Sequence, residues 1–388
     1  MQKISLLLQK NAILPHWKVR IVDKCFMYQE PTGIIGADSL RNIIRFFNTL
    51  LSKYPNVKLP IILNLGQVGF MDKLSYVILE CLCYDMITSY GYKVIINFRP
   101  DAQIHTAGIA SSPLFLLTSR KEEHIAKFIS KFKFEIYGNH YRRFLTPEDF
   151  TKQELLCNIM DEVAWFQGAF EVDHACREDI SEVIVELVGN AKEHGEANCL
   201  IDFDIVPATK SSDITQKYFG INIAIVNFSN NLLGTALKEK ILKSDTLEER
   251  YSDVNRAFVF HSHNFEENYT EEDFFNIATF QHKISGRNGN VYTGGTGLTK
   301  LIESLESRSE AHMCYVTSGE RSISFKQEYL KYNVAGWLGF NESNDFIAST
   351  PDKKIFSKNR FCMPGTAYNL NFIMKRENEN ADKDSSSV

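Results

Sequence analysis

Two hydrophobic periods alternate along the chain. Short β-branched runs at Pro60 to Leu65 and Tyr92 to Phe98 (YKVIINF) have the length and composition of buried strands. Helical spacing of apolar residues runs from Ser39 to Ser52 before the first run and from Leu74 to Tyr90 between the two. This order predicts an α/β sandwich. At Leu145-Thr146-Pro147-Glu148 the pattern breaks: Thr146 can cap a helix, Pro147 fits its first turn and Glu148 suits the positive end of its dipole. A first unit is therefore expected at residues 1–143 and a second at 145–374. In the second unit, Ile180, Val183, Ile184, Leu187 and Ala191 form the apolar stripe of a helix, whereas Gly220 to Val226 (GINIAIV) and AYNLNFIM after Thr366 have the pattern of strands. The stretch near 320–360 has the character of an insertion, with Trp337 and Phe340 as apolar contacts and a candidate partner surface. The tail at 375–388, polar and ending in three serines before Val388, is expected to be disordered.

Composition narrows the possibilities. Hydrophobic residues make up 44% and charged residues 23% of the 388, so the chain can bury real cores. The net charge of -5 supplies no global positive field and argues against nucleic acid as a partner. No apolar run approaches the roughly 18 residues of a membrane span, and Met1 to Leu14 lacks the small-residue cleavage site of a secretory signal. The eight cysteines lie scattered in apolar contexts, which suits reduced thiols in a cytoplasmic protein. Cys81 and Cys83 are too close for the usual zinc spacing.

Candidate chemistry concentrates in the second unit. Within SEVIVELVGNAKEHG, Ser181 to Gly195, the residues Glu186, Asn190 and His194 fall four apart, so one side of a helix carries a carboxylate, a carboxamide and an imidazole. An amide oxygen is a hard ligand suited to Mg²⁺, and a carboxylate one turn away can orient or deprotonate a nucleophile. Thr293 to Leu298 reads TGGTGL and runs into the helical LTKLIESLE, so a glycine-rich loop opens a helix whose free N–H groups can bind phosphate. Lys238, Lys240, Lys243, Arg256 and Arg287 are candidate phosphate partners from the segment before this loop, Arg287 standing nearest to it in sequence, although surface charge is the commoner reading of each. His261, His263 and His282 lack the companions of a tetrahedral metal site and are expected to be packed or solvated.

The Glu-x-x-x-Asn-Ala core followed by His-Gly resembles the N-box of the GHKL (Bergerat-fold) superfamily, which includes gyrase-type ATPases, histidine kinases and anti-sigma-factor serine kinases. It is closest in style to the last of these. TGGTGL is similar to that superfamily's second glycine box, and Pro364-Gly365-Thr366 resembles the Gly-Thr element before its last strand. Where the family has Asp-x-Gly-x-Gly, this chain has Asn227-Phe228-Ser229-Asn230-Asn231, so both glycines are lost and Asn227 stands at the adenine-binding Asp position. The first unit, through Leu63 to Leu79 (LNLGQVGFMDKLSYVIL), resembles a STAS domain. Its usual Asp-Ser switch is here Asp72-Lys73, without the hydroxyl, and Ser75 is only a weak substitute.

The resemblance implies a STAS-like α/β sandwich followed by a two-layer GHKL domain, a mixed sheet with helices on one face. It implies ATP and Mg²⁺ as cofactors. Asn190 would bind the metal and Glu186 would be the general base. His194, Asn227, Gly294, Gly295, Thr296, Gly297, Leu298 and Thr366 would contact the nucleotide. The function expected is a slow ATPase acting as a nucleotide-gated switch towards a protein partner or a second copy of the chain. The alternatives are a protein Ser/Thr kinase of the anti-sigma-factor type and a nucleotide-sensing binder without turnover.

Overall fold

The computed structural model describes residues 5–31, 33–100, 111–170, 172, 174–193, 198–210, 213–243, 247–282, 284, 299, 301–303 and 311–375. The chain is an α/β protein, and its described residues form two sheets. In chain order its elements are α1 (Leu6–Lys10), β1 (Arg20–Val22), β2 (Cys25–Gln29), β3 (Ile34–Ile35), α2 (Ala37–Lys53), β4 (Ile61–Phe70), α3 (Lys73–Thr88), β5 (Val94–Pro100) and α4 (Glu122–Lys133). There follow β6 (Phe134–Tyr137), β7 (His140–Leu145), α5 (Leu155–Gly168), α6 (His174–Glu193), β8 (Asn198–Lys210), β9 (Asp213–Phe228), α7 (Thr235–Lys243), α8 (Glu249–Ser262) and α9 (Glu271–Ala278). The last strands are β10 (Ala311–His312), β11 (Cys314–Phe325) and β12 (Phe356–Lys375).

The first sheet is built on β4, which pairs in parallel with β2, β3 and β5. Its apolar run, Ile61, Leu63 and Leu65 on the inner side, suits a strand flanked by parallel neighbours. Helix α2 is amphipathic and buries Leu40, Ile43, Phe47 and Leu50 at helical spacing. Helix α3 is different, because every residue from Lys73 to Met86 is buried. A helix apolar on nearly all sides needs a cover on each flank, and one sheet supplies only one.

The second sheet provides the other cover. It runs β10-β12-β9-β8-β7-β6, with β11 on β12, and every pairing is antiparallel. Along its strands the side chains alternate between two cores. Ile201 and Phe203 of β8, Ile223 and Ile225 of β9, and Tyr368 and Leu370 of β12 pack with α5 and α6. Leu200, Ala224, Val226, Phe228 and Ala367 pack with α2, α3 and α4. The layers are therefore sheet, helices, sheet, helices. The expectation of a mixed sheet with helices on one face gives way to an antiparallel sheet covered on both, since α3 must be enclosed.

The hairpin β6–β7 precedes the break at Leu145-Thr146-Pro147 yet pairs with β8, so residues 134–145 belong to the second sheet. After the break, Thr146 and Asp149 bond to each other around a 3-10 turn, and helix α5 starts only at Leu155. The segment between β11 and β12 turns inward. Trp337 stacks on Phe346 with centroids 5.4 Å apart under the Arg250 guanidinium, and Phe340 is fully buried. These aromatics therefore complete the core of the second unit and offer no partner surface. At the other end of the chain, Asn11 bonds the backbone of Cys362 in both directions, which ties the α1 segment to β12.

Candidate functional site

Two polar constellations lie on opposite faces of the second sheet. On the face towards α6, Ile180, Val183, Ile184, Leu187, Val188 and Ala191 fix the helix against the sheet. Glu186 and Asn190 then fall on its half-buried flank. Five residue steps from Glu193 to Asn198 span at most about 18 Å, and Asn198 pairs with Phe228. The carboxyl end of α6 thus lies at the end of the sheet that carries Asn227.

Asn227 and Thr366 are direct partners across β9 and β12, and both point to the α6 side, in phase with Ile225 and Tyr368. Gly365 makes this approach possible. Its φ is +79°, and a Cβ there would stand 2.1 Å from the Asn227 carbonyl oxygen, so no other residue fits. Asn227 is 7% exposed, and its Oδ1 has no hydrogen-bond partner among the described residues. Buried polar atoms are ordinarily satisfied, which marks this one as available to a ligand.

The corner is wired to the α7–α9 segment by a residue that the motif pattern did not single out. Ser318 Oγ donates to the Gly365 carbonyl at 2.6 Å and accepts from Leu233 N–H at 3.0 Å. Gly234 N–H bonds Asn276 Oδ1 of α9, and Arg321 of β11 pairs with buried Asp273 of α9. His194, Gly294, Gly295, Thr296, Gly297 and Leu298 lie outside the described residues, as do Arg287 and the tail at 376–388. Lys238 pairs with Glu271, Lys243 with Glu239 and Arg256 with Asp253, and Lys240 covers the Tyr251 ring at 3.7 Å. His261 is packed between Tyr269 OH at 2.6 Å and the Phe346 carbonyl at 2.8 Å, and burial lowers its pKa.

The second constellation, on the face towards α3, is almost entirely ionic and fully buried. Asp202 and Asp204, alternate residues of β8, both pair with the Lys73 ammonium. Tyr76 OH accepts from Lys73 at 2.9 Å and donates to Asp204 at 3.3 Å. Arg142 of β7 joins Asp202 to Glu80 of α3, which also accepts from Ser112, and His140 Nε2 reaches Asp202 at 3.0 Å. Three cations, Lys73, His140 and Arg142, thus meet three carboxylates, Glu80, Asp202 and Asp204. Burial pushes the Asp202 carboxyl up, but Arg142, Lys73 and His140 more than reverse this and hold it well below the usual range. Burial works against the His140 imidazolium too, yet Asp202 and Glu135 carry its pKa up to about 9. His140, Asp202 and Asp204 offer atoms within 4.8 Å of one another, a spacing that suits a metal ion. The Lys73 ammonium occupies the position between the two carboxylates, so the cation of this cluster is supplied by the chain itself. Asp202-Phe203-Asp204 was visible in the sequence as a charged alternation in an apolar strand, but alternation alone suggests a solvent face.

Comparison with protein-family models, with curated proteins and with solved structures finds no match for this chain. Among the described residues no helix is long and apolar enough to cross a membrane.

The ionic cluster generates two predictions. Lys73→Met leaves two buried carboxylates without their shared cation and should cost about 3–5 kcal/mol in urea unfolding; a loss below 1 kcal/mol would contradict the pairing. Because the folded-state pKa of His140 lies above its ordinary value of about 6.5, its stabilisation is complete below that pH and fades as pH rises through about 9. Urea titrations between pH 6 and 9.5 should therefore show a decline in wild type that His140→Asn lacks, whereas equal slopes would exclude His140 as the group responsible.

Proposed function

We propose that the chain binds ATP with Mg²⁺ on the α6 face of the second sheet and hydrolyses it slowly, as a nucleotide-gated switch. The observation that carries the reading is the buried Oδ1 of Asn227, without a hydrogen-bond partner among the described residues, set beside Thr366 and at the same sheet end as the Glu186–Asn190 flank of α6. An acceptor in that position suits the exocyclic amine of adenine. Asn190 offers a hard amide oxygen, which fits Mg²⁺, and the metal when bound would neutralise charge on the phosphates. Glu186, one turn away on the same flank, would hold or accept the proton of the attacking water. Ser318 joins the base corner to Leu233 at the start of the α7–α9 segment, and this contact gives nucleotide occupancy a route to a conformational readout.

Incubation with labelled ATP and Mg²⁺ tests the class of activity. Label released as phosphate supports the switch, label retained on protein points to a kinase, and label bound without turnover points to a sensor.

Two variants test the residues. Asn227→Ala removes an acceptor that has no hydrogen-bond partner among the described residues, so the melting temperature should hold while ATP affinity falls about ten-fold or more; unchanged affinity would remove Asn227 from the site. Glu186→Gln should keep ATP affinity and lower turnover by about 10²–10⁴-fold, and full turnover would assign water activation to another group.

A further inference from the structure

A cleft of about 560 Å³ opens between the two units, away from the α6 face. Its first wall is the start of α2 and α3, and its second is formed by β11 and β12. Leu40, Leu74, Ile78 and Met363 give it an apolar floor, and Ser322, Ser324 and Ser357 line one side with hydroxyls. Tyr315 and Met363 pack in the core on the α3 side of the second sheet, whereas Asn227 and Thr366 point to the other side. The volume lies in the range of about 300–1,000 Å³ common for small-molecule sites, which favour boundaries between units.

Asp72 sets the chemistry. It lines the cleft and is 6% exposed. Its Oδ1 accepts from Ser75 N–H at 2.8 Å and Ser75 Oγ at 2.7 Å, and its Oδ2 accepts from Tyr315 OH at 2.7 Å. Every one of these donors is neutral. No basic side chain pairs with Asp72 among the described residues, and the adjacent Lys73 is turned to Asp202 and Asp204. Buried charges are ordinarily matched by an opposite charge, and a carboxylate has about four acceptor positions, so one remains for a further donor. At the rim, Arg360 Nε reaches Asp38 Oδ1 at 3.2 Å across the two units, both side chains being largely exposed. That pair neutralises the outer carboxylate; Lys358 also lines the cleft, from an exposed position, and forms no ion pair with Asp72 among the described residues.

We propose that this cleft is a binding site for a small organic ammonium ion, its apolar body on the Leu40–Ile78–Met363 floor and its ammonium group donating to Asp72. The full chain would be titrated with para-fluorophenethylammonium and, separately, with the anionic para-fluorophenylpropanoate, followed by fluorine NMR. Saturable binding of the ammonium ion is expected, tighter than the propanoate by about ten-fold or more. Asp72→Asn keeps a side-chain oxygen to cap α3 and should abolish that preference. Ser357→Trp, at an exposed rim position, should block both ligands without disturbing the fold. Absence of saturable binding, equal binding of the propanoate, or wild-type affinity for the ammonium ion in the folded Ser357→Trp protein would overturn the proposal, as would an undiminished preference in Asp72→Asn.

Discussion

Two carboxylates on a strand covered on both faces impose the strongest constraint in this molecule. Asp202 and Asp204 cannot be taken from water unless cations meet them, and the cations come from β7 and from α3. Lys73, Tyr76 and Glu80 recur at helical spacing and form the side of α3 that answers the sheet. Slipping α3 by one residue would turn that side away and strand several buried charges at once. Neutral bonds hold the same register at the start of the helix, where Leu74 N–H reaches Asn369 Oδ1 and Tyr315 OH reaches Asp72.

With α3 fixed, one face of the second sheet is committed to holding the two units together, and the other is free to carry a site. Strands β9 and β12 serve both faces through the two-residue alternation of their side chains. At Gly365 the strand runs close against the backbone of Asn227 and Ser229, leaving no room for a Cβ. The corner formed there gathers Asn227 and Thr366, and Ser318 links it to Leu233. Strand β11 contributes Tyr315 and Thr317 to the cleft on one side and Ser318 to the corner on the other. The cleft and the proposed nucleotide site thus share a strand without sharing a face.

Much of the local structure was legible because it depends on near neighbours. The alternation of strands and helices in the first unit, the apolar stripe of α6 and the spacing of Glu186 and Asn190 all follow from residues a few positions apart. The pairing of Asn227 with Thr366 was foreshadowed only by motif order, since hydrogen bonds between β9 and β12 join segments far apart in sequence. By position in the chain the hairpin β6–β7 goes with the first unit, but β7 pairs with β8 of the second sheet. In the sequence Trp337 and Phe340 have the character of a partner surface, because the pattern does not reveal that they pack into one core with residues of α8 and α9.

The class of fold, the main helices and strands, and the side of α6 on which Glu186 and Asn190 fall can all be read from the residue pattern alone. These follow from backbone periodicity, which each segment carries within itself. Packing between distant segments is what covers the second sheet on both faces, sets Lys73 against Asp202 and Asp204, and leaves Asp72 without an ion pair among the described residues. Whether a charge is solvated, paired or stranded depends on which distant segment lies against it, and that is fixed by the packing of α3 between two sheets.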